Sequence, residues 1–284
     1  MIRPILKDQD FLSDVASCRS GVANFYLWWL GQSGFLIQWQ GRHLLIDPYL
    51  SDSLTKKYAQ TDKPHVRMTE RVVAPEALDF INLITSSHNH TDHLDAETLT
   101  PLLRVNPTVK LVIPEANREF VSQRLGIAAE LPIGIDAGQT LTLAGFTLTA
   151  IPAAHETIEK DSVGRCKYLG YIIEVGNWAI YHSGDSVVYP GLADKLRAHQ
   201  IDLALLPING AKPERRVAGN MNGTEAAGLA KDAGCKLAIP CHYEMFEFNT
   251  ESPDQFVAAA KSLNQPVRVL EAGERWSSYE LGER

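Results

Sequence analysis

The sequence predicts an α/β fold of two β-sheets packed face to face with helices on their outer sides. Three observations predict it. Each half of the chain opens with stretches alternating at a period of two, each continues with helix-strand units, and several apolar runs stop abruptly at a His or an Asp. With 284 residues, 45% of them hydrophobic, the chain can bury a large core. No linker or charge run divides it, so residues 1–284 are read as one domain with 1–23 as an N-terminal extension.

Within the extension, Phe11, Leu12, Val15 and Ala16 stand at helical spacing and predict a short packing helix. YLWWL, FLIQW (35–39) and HLLID (43–47), separated by the Gly31 to Gly34 turn and by Gly41, read as successive antiparallel strands. Residues 51–75 are polar and read as a long loop that could cover a site. FINLITSSH (80–88) is an apolar run expected to be a buried strand delivering His88 at its end. Asp95 can cap the following helix, which Pro101 limits or bends. KLVIP (110–114) is a strand, and EANREFVSQRLG is a helix closed by Gly126.

The second half begins with TLTL (140–143) and FTLTAIPAAH (146–155), which alternate like strands. GYIIEV and WAIYH flank Gly176-Asn177, a two-residue hairpin signal. A helix from Gly191 to His199 and a strand DLALLPI (202–208) follow, then a Gly/Asn-rich loop to Asn222. Asn222 with Glu225 and, at the far end, Gly234 frame a helix, and KLAIP (236–240) leads to His242. Ser252, Pro253 and Gln255 start the last helix, with PVRVL (266–270) as a closing strand.

Charge and cysteine content narrow the function. Lys and Arg number 27 against 34 Asp and Glu, a net of -7, which gives no general attraction for a phosphate backbone and argues against a nucleic-acid partner. Asp8, Asp10 and Asp14 interrupt the start where a signal peptide needs an apolar stretch, and no membrane-length apolar run occurs later, so a soluble cytoplasmic protein is expected. Cys18, Cys166, Cys235 and Cys241 show no CxxC spacing and read as reduced thiols. A homo-oligomer stays open.

The chemistry is concentrated in SSHNHTDHLD (86–95), which holds His88, His90, Asp92 and His93. Imidazoles and a carboxylate lose hydration when buried and regain it only through partners or a metal, so metal binding is the economical reading of this run. In extended chain His88 and His90 face the same way and can grip one ion, while Asp92 and His93, where the chain turns, suit a second.

This HxHxDH run resembles the metal-binding signature of the metallo-β-lactamase superfamily, and the likeness spans about residues 24–272. The resemblance implies a four-layer αββα sandwich of two mixed β-sheets flanked by helices. It also implies the remaining ligands: His155 with His88 and His90 on the first ion, His242 with Asp92 and His93 on the second, and Asp185 bridging both. Asp47, closing HLLID, resembles the buried Asp that supports the ligand loop, and His182 is a further supporting candidate. His43, His65 and His199 are expected at the surface, and Cys241 as a buried thiol. The diiron members of the superfamily usually carry an acidic residue where this chain has His90, which points to zinc or manganese and hydrolysis.

Two divalent ions about 3.5 to 4 Å apart can share one water, lower its pKa to roughly 7 and present the hydroxide to a carbonyl or phosphorus. Asp92 and Asp185 are then the catalytic carboxylates. The net positive charge left after these ligands favours an anionic small-molecule substrate. YHSGDS, the IP-x-H ending, WWLGQSG and M-x-x-x-E-A look like the branch that includes L-ascorbate-6-phosphate lactonase, which implies an ester or lactone substrate. Lys212, Arg215 and Arg216 in the 209–223 loop, and Tyr243 beside His242, are candidate substrate contacts. A phosphodiesterase acting on RNA or phospholipid is the competing enzyme reading, and a metal-stabilised non-catalytic binding protein the competing non-enzyme one.

Overall fold

Strands whose residues are apolar on both faces must be covered on both sides, and that requirement sets the layering. The structure, a computed structural model, describes residues 1–18 and 23–282. Helix α1 (Gln9–Ser17) precedes the antiparallel meander of β1 (Tyr26–Gly31), β2 (Gly34–Trp39) and β3 (Arg42–Ile46), and a short helix α2 (Ser53–Tyr58) lies in the 51–75 segment. The first half ends with β4 (Leu83–Thr85), α3 (Ala96–Val105), β5 (Lys110–Pro114), α4 (Arg118–Leu125) and β6 (Ile133–Ile135). The second half opens with β7 (Thr140–Leu143), β8 (Phe146–Pro152), β9 (Leu169–Val175) and β10 (Trp178–His182). It closes with α5 (Leu192–Arg197), β11 (Leu203–Pro207), α6 (Gly223–Asp232), β12 (Leu237–Cys241), α7 (Asp254–Ser262) and β13 (Arg275–Ser277).

The strands form one seven-stranded sheet in the order β13-β1-β2-β3-β4-β5-β6 and one six-stranded sheet in the order β12-β11-β10-β9-β8-β7. Both are mixed. In each, an antiparallel meander continues into parallel strands, β3 to β6 in the first and β10 to β12 in the second. Alternation then sorts the side chains. Leu27 and Trp29 of β1 enter the core shared with the second sheet, whereas Trp28 and Leu30 join the outer cluster with Phe11, Leu99 and Val121 from the helices. This is the expected αββα sandwich.

Local signals placed most helices. Asp95 caps α3 by accepting from the Glu97 amide, and α3 tolerates Pro101 inside it. Asn222 and Glu225 form a reciprocal capping box on α6, and Gly126 ends α4 at φ 65°.

Besides shifts of a few residues at element ends, such as β8 stopping at Pro152 rather than His155, four features differ from the expectation. Residues 86–88 are not strand, because Ser86 Oγ donates to the His88 carbonyl at 2.8 Å and the Ser87 amide donates to Asp47 at 2.8 Å, diverting the chain from the ladder. The 266–270 run is not a closing strand. Within it only Val267 bridges Ala238, with the Arg268 amide bonded to the Ala238 carbonyl at 3.0 Å, and the closing strand is β13, paired with β1 on the other sheet. Helix α7 starts at Asp254 rather than after a Ser252 cap, although Ser252 Oγ still accepts from the Asp254 amide at 3.2 Å. β6 was not foreseen at all.

Every element that ends at the site does so on one edge of the sandwich. β4, β10 and β12 run toward it, as do β1, β3 and β8, so the β1-β2 turn lies on the same edge. Gly184 makes the tightest of these exits, at φ 58°, where an added Cβ would meet the Leu169 carbonyl at 2.7 Å and Ser87 Cβ at 2.8 Å. Gly184→Ala is therefore expected to cost about 1–3 kcal/mol in urea denaturation. Unchanged stability would contradict this reading of the turn.

Candidate metal centre

Ser87 to His93 forms a turn between β4 and α3, and its shape is fixed by Asp47. This buried carboxylate, itself at φ 41°, accepts from the Ser87 amide at 2.8 Å, from Ser87 Oγ, and from His93 Nδ1 at 2.6 Å. The last bond leaves His93 Nε2 facing the site without a hydrogen-bond partner. His88 Nε2 is likewise buried and unpartnered. The two rings the strand period had paired, His88 and His90, do lie together, with centroids 4.6 Å apart, but the turn rather than an extended segment brings them there.

The distant residues converge on this turn. His155 lies three positions beyond the end of β8, and its Nδ1 donates to the Gly219 carbonyl at 3.1 Å, which leaves Nε2 for the site. Asp185 follows β10 through Gly184. Beneath it His182 donates from Nε2 to the Ser33 carbonyl at 2.9 Å and accepts the Gly184 amide on Nδ1 at 3.2 Å, so this ring clamps the turn. His242 leaves β12 at φ 63°, its amide held by the Gln32 carbonyl at 2.9 Å.

Two four-residue groups result: His88, His90, His155 and Asp185, and Asp92, His93, Asp185 and His242, with the ligand atoms of each within 4.8 Å of one another. Asp185 belongs to both. In the second group His93 Nε2 stands 3.2 Å from Asp185 and 3.6 Å from Asp92, and His242 Nε2 stands 3.4 Å from Asp185 and 3.6 Å from Asp92. A tetrahedron of ligands at zinc-like bond lengths has edges of about 3.4 Å, so these separations fit a metal ion. The unpartnered His88 Nε2, His93 Nε2 and Asp185 Oδ1 fit one as well, since such buried atoms are otherwise costly.

The two groups hold protons differently. Burial lowers His88 well below the ordinary histidine value, with His93 and His90 adding to the effect, and it lowers His90 too. Their rings are neutral at pH 7 and present lone pairs. Burial alone would also lower His93 and His242, but the Asp185 and Asp92 carboxylates outweigh it, raising His93 well above the ordinary value and His242 to about 9. Against the upward pull of burial, the same contacts with His93 and His242 hold Asp92 and Asp185 below the carboxylate range. Protons there occupy the place of a cation.

The centre floors a cleft of about 340 Å³ whose walls include Tyr58, His65, Phe246 and Phe248 with Lys57 and Arg124. His65, expected at the surface, is half-buried, stacked on Tyr58 at 4.2 Å, with Nδ1 donating to the Lys63 carbonyl at 2.9 Å. His43 is buried against Phe80. The expected substrate cations are engaged elsewhere: Lys212 and Arg215 pair with Glu251, and Arg216 with Asp62. Tyr243 points its hydroxyl to the Leu270 carbonyl and packs against Trp29, ring centroids 4.5 Å apart. The 209–223 loop instead acts through Gly219, by orienting His155. Arg124 sat in a helix with no signal toward the site, and Gln32 was legible only as part of WWLGQSG.

Comparison with known proteins identifies the family of the chain. A family profile described as a beta-lactamase superfamily domain matches residues 42–243, which include all seven candidate ligands. A UPF0173 metal-dependent hydrolase of Hyperthermus butylicus is 28% identical over 254 residues, covering 88% of this chain and 97% of that protein. One from Opitutus terrae is 29% identical, covering 87% and 97%. The structure of a metallo hydrolase from Ignicoccus hospitalis superimposes with a TM-score of 0.66 at 23% identity, covering 89% of this chain and 98% of that one, and so shares the fold.

The shifted groups set a pH dependence. His93 and His242 are raised, so their contribution to stability is complete below 6.5 and lost at higher pH, that of His242 as pH rises through about 9, and the lowered carboxylates lose the same interaction as pH falls below 3.8. Chelator-treated protein should therefore melt at steadily lower temperature from pH 6.5 to 9, while the rise produced by added zinc grows over that interval because binding displaces these protons. A melting temperature of the treated protein that is flat across that range would contradict the assignment.

Proposed function

The chain belongs to the metallo-β-lactamase superfamily and is a metal-dependent hydrolase, and we propose that it cleaves a small anionic ester or lactone at two divalent ions, zinc or manganese. The observation that carries this reading is the pair of ligand groups meeting on Asp185 at the floor of a small cleft. His88, His90 and His155 would hold one ion and Asp92, His93 and His242 the other, with Asp185 between them. When bound, the ions supply a Lewis acid for the scissile group and a water of lowered pKa as the nucleophile.

The chain's own residues do the rest. Asp47 and the Gly219 carbonyl fix the His93 and His155 tautomers, so that the ring nitrogens facing the site keep their lone pairs. Asp92, at 16% side-chain exposure against 4% for Asp185, is the carboxylate placed to take a proton from the nucleophile, while Asp185 is placed to hold. Lys57 and Arg124 are the cationic side chains lining the cleft, and they favour a substrate bearing a carboxylate or phosphate. The aromatic wall admits an apolar portion beside it. Lys212, Arg215 and Arg216 are already paired with Glu251 and Asp62 rather than offered to a phosphate backbone, which disfavours an RNA substrate.

Purified protein supplied with manganese or zinc should turn over anionic lactones or esters faster than bis(p-nitrophenyl) phosphate. The reverse order would favour a phosphodiesterase. His90→Ala should lose metal and activity with the fold intact, and normal turnover by this variant would refute the site. Lys57→Ala should raise KM for an anionic ester about fivefold at unchanged kcat and leave a neutral ester unaffected. An equal effect on both esters would count against the proposed role of Lys57.

A further inference from the structure

We infer that Gln32 is a ligand of the second metal ion, its side-chain oxygen completing the set formed by Asp92, His93, Asp185 and His242. This rests on the two-ion reading above. Gln32 is 1% exposed, in the turn between β1 and β2, and its amide terminus enters the second group directly. Nε2 lies 2.8 Å from Asp92 Oδ2 and 3.0 Å from His242 Nε2. A fifth ligand set at right angles to its neighbours, at the same bond lengths, stands about 3 Å from them. The amide is therefore at coordination distance from the ligand atoms, not behind them.

Chemistry decides which end of the amide faces inward. The two contacted atoms, a carboxylate oxygen and an imidazole nitrogen, are those that a cation needs as lone pairs. Without a cation the amide nitrogen donates to the Asp92 oxygen. With a dication between them, an N–H directed at the same lone pairs competes with the metal, and a half-turn about the Cγ–Cδ bond puts Oε1, a hard oxygen donor, in the same position. A nitrogen-inward amide beside a bound ion would leave two positive centres facing each other.

The backbone is built to hold this residue in place. Gln32 sits at φ 51°, a conformation unfavourable for its side chain, and its carbonyl accepts both the His242 amide at 2.9 Å and Trp29 Nε1 at 3.0 Å. Trp29 is a core residue at 1% exposure, so the turn is anchored in the sandwich and tied to a ligand at once. Such investment is not needed to cap a surface hairpin.

The test is a titration of metal-stripped protein with cobalt(II), following the visible absorption for coordination number and competition with a chelator for affinity. Wild type should take up two ions, the second with the weak absorption of a site with more than four ligands. Gln32→Ala should bind the first ion unchanged and the second at least tenfold more weakly, with the stronger absorption of a site that has lost one ligand. Gln32→Glu keeps an oxygen donor and the side-chain shape, and should bind the second ion as tightly as wild type or more so. If the amide acts only by donating to Asp92, the added carboxylate repels instead, and a second ion weakened more than tenfold in Gln32→Glu overturns the proposal. Unchanged second-ion affinity and spectrum in Gln32→Ala overturns it too. Those two results leave the two-ion reading standing, whereas a single ion in wild type defeats both together.

Discussion

Burial of the Asp185 carboxylate is the constraint on which the rest of the structure depends. At 4% exposure it stands between three imidazoles of one group and two of the other, and one of its oxygens has no hydrogen-bond partner. A charge so placed is tolerable only if opposite charge is supplied nearby. In the chain by itself His93 and His242 supply it by retaining protons. That solution leaves the first group, whose His88 and His90 burial keeps neutral, without a charge of its own. A pair of cations satisfies both groups at once.

The fold delivers this convergence by using the same device twice. Each sheet begins as an antiparallel meander and continues in parallel strands, so the carboxyl ends of β3, β4, β8, β10 and β12 open on one edge. The polar turns beyond those ends can bond to one another because no side chain has to cross the core to do so. Asp47 reaches Ser87 and His93, Ser33 reaches His182, and Ser186 accepts the Met221 amide at 3.0 Å while its hydroxyl accepts the Ala154 amide at 3.0 Å. The supports of one ligand are therefore the neighbours of the next. Rigidity of the site follows from packing of the sheets rather than from the loops alone.

What could be read from the sequence, and what could not, follows from range of interaction. Capping at Asp95 and Asn222, the Gly176-Asn177 hairpin and the period-two strands are local, and they appear in the structure where the residues place them. His88, His90, Asp92 and His93 were legible as one unit because a dense run of ligand types has few other uses. Their distant companions were legible only through resemblance, and the structure sets them beside the turn. The misread substrate contacts all failed through non-local partners. Lys212, Arg215 and Arg216 looked available until Glu251 and Asp62 arrived from other segments, and Tyr243 looked like a pocket residue until Trp29 and Leu270 claimed it. Gln32 carried no signal of its own, since neither its positive φ nor its approach to Asp92 is encoded within a few residues.

The central claim is that these side chains form one cradle for two cations that share a carboxylate. Elemental analysis of protein isolated without added metal or chelator tests it most directly. The account predicts close to two equivalents of zinc or manganese per chain, falling below one when Asp185 is replaced by Ala. Metal content that is unchanged by that replacement would contradict it.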